Sequence, residues 1–221
     1  MRQDIFADLR TLLGPDRAIG DSLLPPAAFF ATNAALGLEW ASVLGLVVGA
    51  FVAAFRLVRG HRLLAAVYGL AAVVLSVVVA LRTDNAAGYV LPTILMTAAL
   101  AMLTVVTIVV RRPMVAWVSA FVRGWPMTWY WRDDVRPAYA HVSWYWVVFY
   151  VARVALVWAA YEAAGLSVLL VVRVLVSWPT MLPLVIVSYV RGNRRLHELG
   201  GPTVDEHRSG ARGPFALQRG F

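Results

Sequence analysis

The sequence predicts an all-α fold: a polytopic transmembrane bundle of about six spans with short interfacial helices. Of its 221 residues, 61% are hydrophobic and 14% charged, well above the roughly 45–50% apolar content of soluble domains. Apolar runs lie at about 23–37, 38–57, 62–81, 89–110, 141–163 and 165–190, most of them near the ~20 residues a helix needs to cross the hydrocarbon layer. No closed-barrel alternation of polar and apolar residues accompanies them, so helices alone satisfy the backbone in lipid.

Residues 1–22 read as a cytoplasmic interfacial segment. Within it, Ile5, Phe6, Leu9, Leu12 and Leu13 fall at helical spacing between Asp4 and Gly14, the pattern of an amphipathic helix lying on the membrane. The basic start and small-residue cleavage site of a signal peptide are lacking. In the first span, Pro25 and Pro26 leave roughly 12–15 helical residues before Gly37, so a re-entrant segment with five crossings stands as the alternative. The second span carries Gly45, Gly49 and Ala53 four apart, a small-residue ridge that lets another helix approach closely.

The fourth span places Thr93, Thr97, Thr104 and Thr107 on one face. Such hydroxyls commonly bond their own preceding carbonyl, but the stripe also marks a face that looks inward. After Arg111, Arg112 and Pro113 comes a short, interfacial piece, "MVAWVSAFVRGW". The sixth span has Arg173, Ser177, Thr180 and Ser188 on one side, with Pro179 and Pro183 interrupting its ladder. The transmembrane bundle is expected over 23–195 and a disordered cytoplasmic tail over 196–221, where Gly, Pro, Arg and polar residues dominate.

All 20 basic residues are arginine and there is no cysteine. Disulfides, thiolate metal sites and cysteine nucleophiles are thereby excluded. A net charge of +8 would suggest nucleic acid in a soluble protein, but here the arginines follow the membrane rule. Seventeen fall in the terminal segments and alternate loops, against Arg82 alone on the other side. The all-arginine usage with an Ala and Val excess reads as a GC-rich bacterial gene, and the asymmetry predicts a cytoplasmic-membrane protein with both termini cytoplasmic and no nucleic-acid partner.

Two arginines depart from the rule. Arg153 and Arg173 lie nine and seven residues from the outer helix ends at Glu162 and Leu166, roughly 14 and 11 Å deep. An unpaired arginine in mid-membrane costs about 3 kcal/mol or more, so both are expected to point into the bundle, to snorkel, or to lock helices through a span-end acid. Trp146, Phe149, Tyr150, Val157 and Tyr161 share the Arg153 face and suit either cation–π support or a pocket for an apolar body with an anionic end. Thr97, Thr104 and Ser177 would add polar groups to that pocket. Tyr139, Trp144 and Tyr145 read as an interfacial aromatic belt.

At the cytoplasmic rim, Arg132, Asp133, Asp134, Arg136 and His141 gather in one loop. Paired aspartates suit Mg²⁺ on a diphosphate, yet no second acidic cluster accompanies them on that side, so a salt-bridged capping loop is favoured and no metal or cofactor is expected. Glu39, Asp84 and Glu162 are the acids available for proton-driven chemistry.

Several short motifs follow one another along the chain: "LRTLLG…IGDSLLP", "FRLVRG", "ALRT…AAGYVLP", "RRP", "WR" at 131–132, then Trp146, Phe149, Arg153 and "AAY" at 159–161. From about residue 9 to 195 the chain resembles an actinobacterial family of integral membrane proteins, domain-of-unknown-function family 3159. More distantly its layout resembles septation-protein-A-like membrane proteins. Asp84 stands where that family usually has glycine, and Ala87-Gly88 where it is often acidic. The resemblance implies fold and membrane location without an activity. The expected function is an intramembrane pocket in the fourth to sixth spans for an amphipathic, anionic lipid-like or isoprenoid-like molecule, with membrane lipids as neighbours. Alternatives are a cyclase acting by acid catalysis on an isoprenoid or polyketide chain, a small ion-coupled carrier, and a structural partner of other membrane proteins.

Overall fold

A computed structural model describes residues 17–60, 63–163, 166–176, 178–216, 218 and 220–221. The amphipathic segment expected at 4–14 and the candidate Ser177 lie outside these residues. Every regular element described is helical: α1 (Arg17–Leu36), α2 (Leu38–Val58), α3 (Leu63–Arg82), a 3₁₀ turn (Ala86–Val90), α4 (Leu91–Val109), α5 (Met114–Arg123), α6 (Met127–Tyr130), α7 (Arg136–Ala163), α8 (Leu166–Leu175), α9 (Trp178–Leu199) and α10 (Val204–Ser209).

Among the described residues, five stretches are long and apolar enough to cross a membrane: Leu38–Val58, Leu63–Arg82, Ala86–Val109, Arg136–Glu162 and Ser167–Leu199. In none is more than 33% of the apolar window buried. Large apolar side chains such as Trp40, Phe51, Leu95 and Met102 point outward, as lipid-solvated helices require. The chain is therefore a multi-pass membrane protein. α1 differs from expectation, being a continuous 20-residue helix with Pro25 and Pro26 inside it. It is long but not among the five apolar stretches. Gly37, at φ +86°, turns the chain between α1 and α2, a conformation that favours glycine.

The sixth apolar run is two helices. α8 ends at Leu175 and α9 begins at Trp178, which puts Pro179 in a first turn, where its missing N–H leaves no bond unmade. Pro183 is carried inside α9.

By internal contacts the chain divides into two compact units, Met1–Leu95 and Met96–Phe221. In the first, the small-residue ridge of α2 does what its spacing implies. A Cβ on Gly45 would come within 3.2 Å of the Phe29 ring of α1, and one on Gly49 within 3.0 Å of Val73 of α3. Phe29 in turn stacks on Tyr89 with centroids 4.4 Å apart and meets Phe30 edge-on at 5.2 Å. All three rings are buried.

The second unit has its core at the end where α5, α6, the start of α7 and the end of α9 meet. Trp129, Tyr130 and Tyr139 are fully buried there, with Ala116, Ala138, Val142, Leu196, Val204 and Phe221 around them. Tyr139, expected in an interfacial belt, is a core residue instead. Trp144 is exposed and Tyr145 half-buried.

The C-terminal segment is also a correction. Its composition predicts disorder, yet α10 opens on a complete capping box. Thr203 Oγ1 accepts from the Glu206 N–H at 3.2 Å, and a Glu206 carboxylate oxygen accepts from the Thr203 N–H at 2.7 Å. Such a pair satisfies two orphan donors of the first turn. The Trp129 indole N–H then donates to the Pro202 carbonyl at 2.8 Å. Farther on, the Gly220 N–H donates to Asn193 Oδ1 at 3.2 Å, and Arg123 donates to the Phe221 carbonyl. The Phe221 ring stacks on Tyr139 at 4.4 Å with a 16° interplanar angle.

Candidate functional site

On α7 the positions 146, 149, 150 and 153 fall three or four apart and so share a face. Their side chains meet there. The Trp146 ring lies 6.1 Å from Phe149 and 5.8 Å from Tyr150, and Phe149 lies 5.7 Å from Tyr150. The Trp146 indole N–H donates to Ser188 Oγ at 3.1 Å, which pins this face to α9 through a buried serine. Arg153 completes the group, half-buried and within electrostatic reach of the Tyr150 phenol. The arrangement is an aromatic wall ending in a cation, able to hold an apolar chain beside an anionic group.

Arg173, on α8, is also half-buried, and its Nη1 is enclosed by protein. Tyr161 is half-buried and packs on Trp158 with centroids 5.8 Å apart. Thr97 and Thr104 are both buried. Thr104 donates to the Leu100 carbonyl at 2.7 Å, the local back-bond of a helical threonine, with Met114 Sδ 3.3 Å away. Thr107 donates to the Thr104 carbonyl and accepts the Met114 N–H at 3.1 Å. It thereby caps α5, whose own N-cap is Pro113, with no side-chain bond of its own. At least this lower part of the threonine stripe holds helix ends together.

The acids are placed less favourably for catalysis. Glu39, Asp84 and Glu162 are all exposed, whereas a catalytic carboxylic acid is ordinarily tuned by burial. Asp84 instead occupies the left-handed region at φ +48° in the turn after α3.

At the rim, the aspartates are taken by arginines. Arg132 Nε and Nη2 donate to the two oxygens of Asp134 at 2.9 and 2.7 Å, and Arg136 donates to Asp133 at 2.6 Å. The Asp134 hydrogen bond raises the Arg132 pKa above its ordinary value. Among the described residues no group of three or more His, Asp and Glu is placed to hold a metal ion. His141 is exposed, its Nε2 2.9 Å from the Tyr145 hydroxyl. It borders a cleft of about 420 Å³ with Pro137, Arg191, Arg194, Arg195 and Glu198.

The family model described as "Protein of unknown function (DUF3159)" matches residues 13–198. The chain belongs to the DUF3159 family. No curated protein and no solved structure matches it. Family membership fixes no activity for a DUF3159 protein, so function has to come from the side chains.

Sequence reasoning missed two groups in this DUF3159 chain. Arg191, Arg194 and Arg195 recur at helical spacing along "RGNRR", a visible signal that charge counting alone absorbs into membrane orientation. The other group is the contact set of Arg123, Tyr130 and Phe221. Tyr130 pairs with Ser119 at 3.0 Å, and burial pushes its phenol above the ordinary value of 10.0. The only sequence sign of the folded tail is the "TVDE" capping box at 203–206.

Proposed function

We propose that the Met96–Phe221 unit binds an amphipathic, anionic lipid-like or isoprenoid-like molecule within the membrane. Arg153 and Arg173 hold the anionic part, and Trp146, Phe149 and Tyr150 lie against the apolar body. The observation that carries this reading is Arg153 half-buried at the end of a three-ring wall that Trp146 pins to Ser188. A guanidinium kept away from bulk water needs an anion or a set of dipoles nearby, and a bound carboxylate or phosphate supplies the first. Binding takes precedence over acid catalysis because Glu39, Asp84 and Glu162 are exposed.

The orientation belongs to the same proposal. α1, at 20 residues, is about 30 Å long and serves as a sixth crossing. Together with the arginine asymmetry, a sixth crossing supports a reading with both termini on the cytoplasmic side of a bacterial cytoplasmic membrane. The chain's lack of cysteine allows single-cysteine labelling from either side to check it.

The binding test is mass spectrometry of protein purified in gentle detergent. Wild type carries an anionic amphipath, Arg153→Lys retains part of it, and Arg153→Leu loses it while still folding. An Arg153→Leu protein that keeps the molecule at wild-type stoichiometry overturns the assignment. Release of a chemically altered molecule indicates an enzyme, and unchanged passage across liposomes a carrier.

A further inference from the structure

The cleft between the start of α7 and the end of α9 is lined by three arginines, one histidine, one proline and one glutamate. Arg191, Arg194 and Arg195 lie at offsets of three and one along α9, so all three guanidinium groups reach the same side of the helix. Glu198 is the single anion among them. It accepts from Arg194 Nε at 3.3 Å and from Arg195 Nη1 at 2.8 Å. Three arginines around one carboxylate leave an excess of two positive charges before His141 is counted. Stability does not account for the cluster, because exposed ion pairs contribute only about 0–1 kcal/mol each.

Position adds a second argument. Arg191 is the first charged residue of α9, and His141 lies five residues into α7. The cleft therefore opens where two apolar helices turn polar, the kind of boundary at which a membrane helix meets lipid headgroups. Basic pockets at such boundaries hold phosphorylated headgroups. Guanidinium forks match phosphate oxygens in pairs, which an ammonium does not.

We infer that Pro137, His141, Arg191, Arg194 and Arg195 form a binding site for a phosphate group, with Glu198 as the internal anion that the phosphate displaces. His141 lies twelve residues from Arg153 on α7, about 18 Å along the helix. The site therefore stands apart from the Arg153 cluster and does not depend on that reading. A displaced carboxylate gives the proposal a sign that a plain salt-bridge network lacks. Removing the charge of Glu198 tightens phosphate binding, whereas it merely breaks a network with no ligand.

The test uses the full chain in mild detergent. Thermal unfolding is followed against inorganic phosphate at constant ionic strength, and separately against phosphatidic acid in phosphatidylcholine micelles. Wild type is stabilised by at least one probe. Arg191→Gln with Arg194→Gln weakens that response tenfold or more, about what losing charge-assisted bonds entails. Glu198→Gln strengthens it, and since that variant keeps every cation it serves even if the double variant fails to fold. A response saturated by inorganic phosphate identifies a free phosphate ligand. A response to phosphatidic acid alone identifies a lipid headgroup. The inference is overturned if neither probe moves the wild-type midpoint, or if Glu198→Gln responds no more strongly than wild type to the probe that binds.

Discussion

Gly192 sits on α9 with the Phe221 ring in the space that a Cβ would take, so that any added Cβ would overlap ring atoms. Gly192→Ala therefore sets two effects against each other. Alanine in a helix interior adds about 1 kcal/mol to α9. The Phe221 ring, 8% exposed, must leave its place, losing about 2–3 kcal/mol of burial and about 1 kcal/mol of stacking on Tyr139. Because α9 stays helical whether or not the last residues dock, the loss of about 3–4 kcal/mol falls undiminished on docking and raises the undocked population roughly 100- to 700-fold. The buried Gln218 gives a reporter, since a Gln218→Cys substitution introduces the chain's single thiol. In that background Gly192→Ala accelerates thiol labelling by the same factor, and Phe221→Ala does so with Gly192 intact. Labelling of the Gly192→Ala protein at the parent rate would refute the packing argument, because the ring would then have another place to go at no cost.

Asp84→Gly relieves a left-handed residue at φ +48° and raises unfolding stability by about 0.5–1 kcal/mol. Thermal melts in detergent check this, and a loss of stability would mean that the carboxylate makes a needed contact. The Glu206 carboxylate is held below its ordinary pKa of 4.5, first by the Ala216 N–H and then by the Thr203 N–H. A depressed carboxylate stabilises the fold above the unfolded pKa, and that contribution disappears as pH falls through the folded value. Hydrogen-exchange protection of residues 203–216 accordingly drops below about pH 4.5 in wild type. Glu206→Gln starts with lower protection and shows a shallower acid limb; an unaltered acid limb contradicts the assignment.

The spans were legible because burial in lipid asks for one simple property, a long apolar run, and each run can be read locally. The ridge of Gly45, Gly49 and Ala53 was legible for the same reason, since close helix approach demands small residues at fixed spacing. Pro179 marked the break in the last run to within a few residues because a proline ring fits a helix's first turn without losing a hydrogen bond, as it does not in the interior. Tyr139 was not legible. Its ring suits a lipid interface as well as a protein interior, and only partners far along the chain, Tyr130 and Phe221, decide between them. The tail failed similarly, its composition favouring disorder while a few long-range contacts hold it. In the candidate site, the alignment of Trp146, Phe149, Tyr150 and Arg153 could be read from helical periodicity. The bond from Trp146 to Ser188 depended on how α7 meets α9.

Phe221 packs on Tyr139 and is held by Arg123, 98 positions earlier. The apolar helix α7, which ends at Ala163, 58 residues before Phe221, is thus synthesised, and able to enter the bilayer, before the residue that closes this core exists. Membrane insertion and completion of that core are separate events in time. Until the second occurs, Tyr139 presents an open aromatic face to whatever attends the nascent chain.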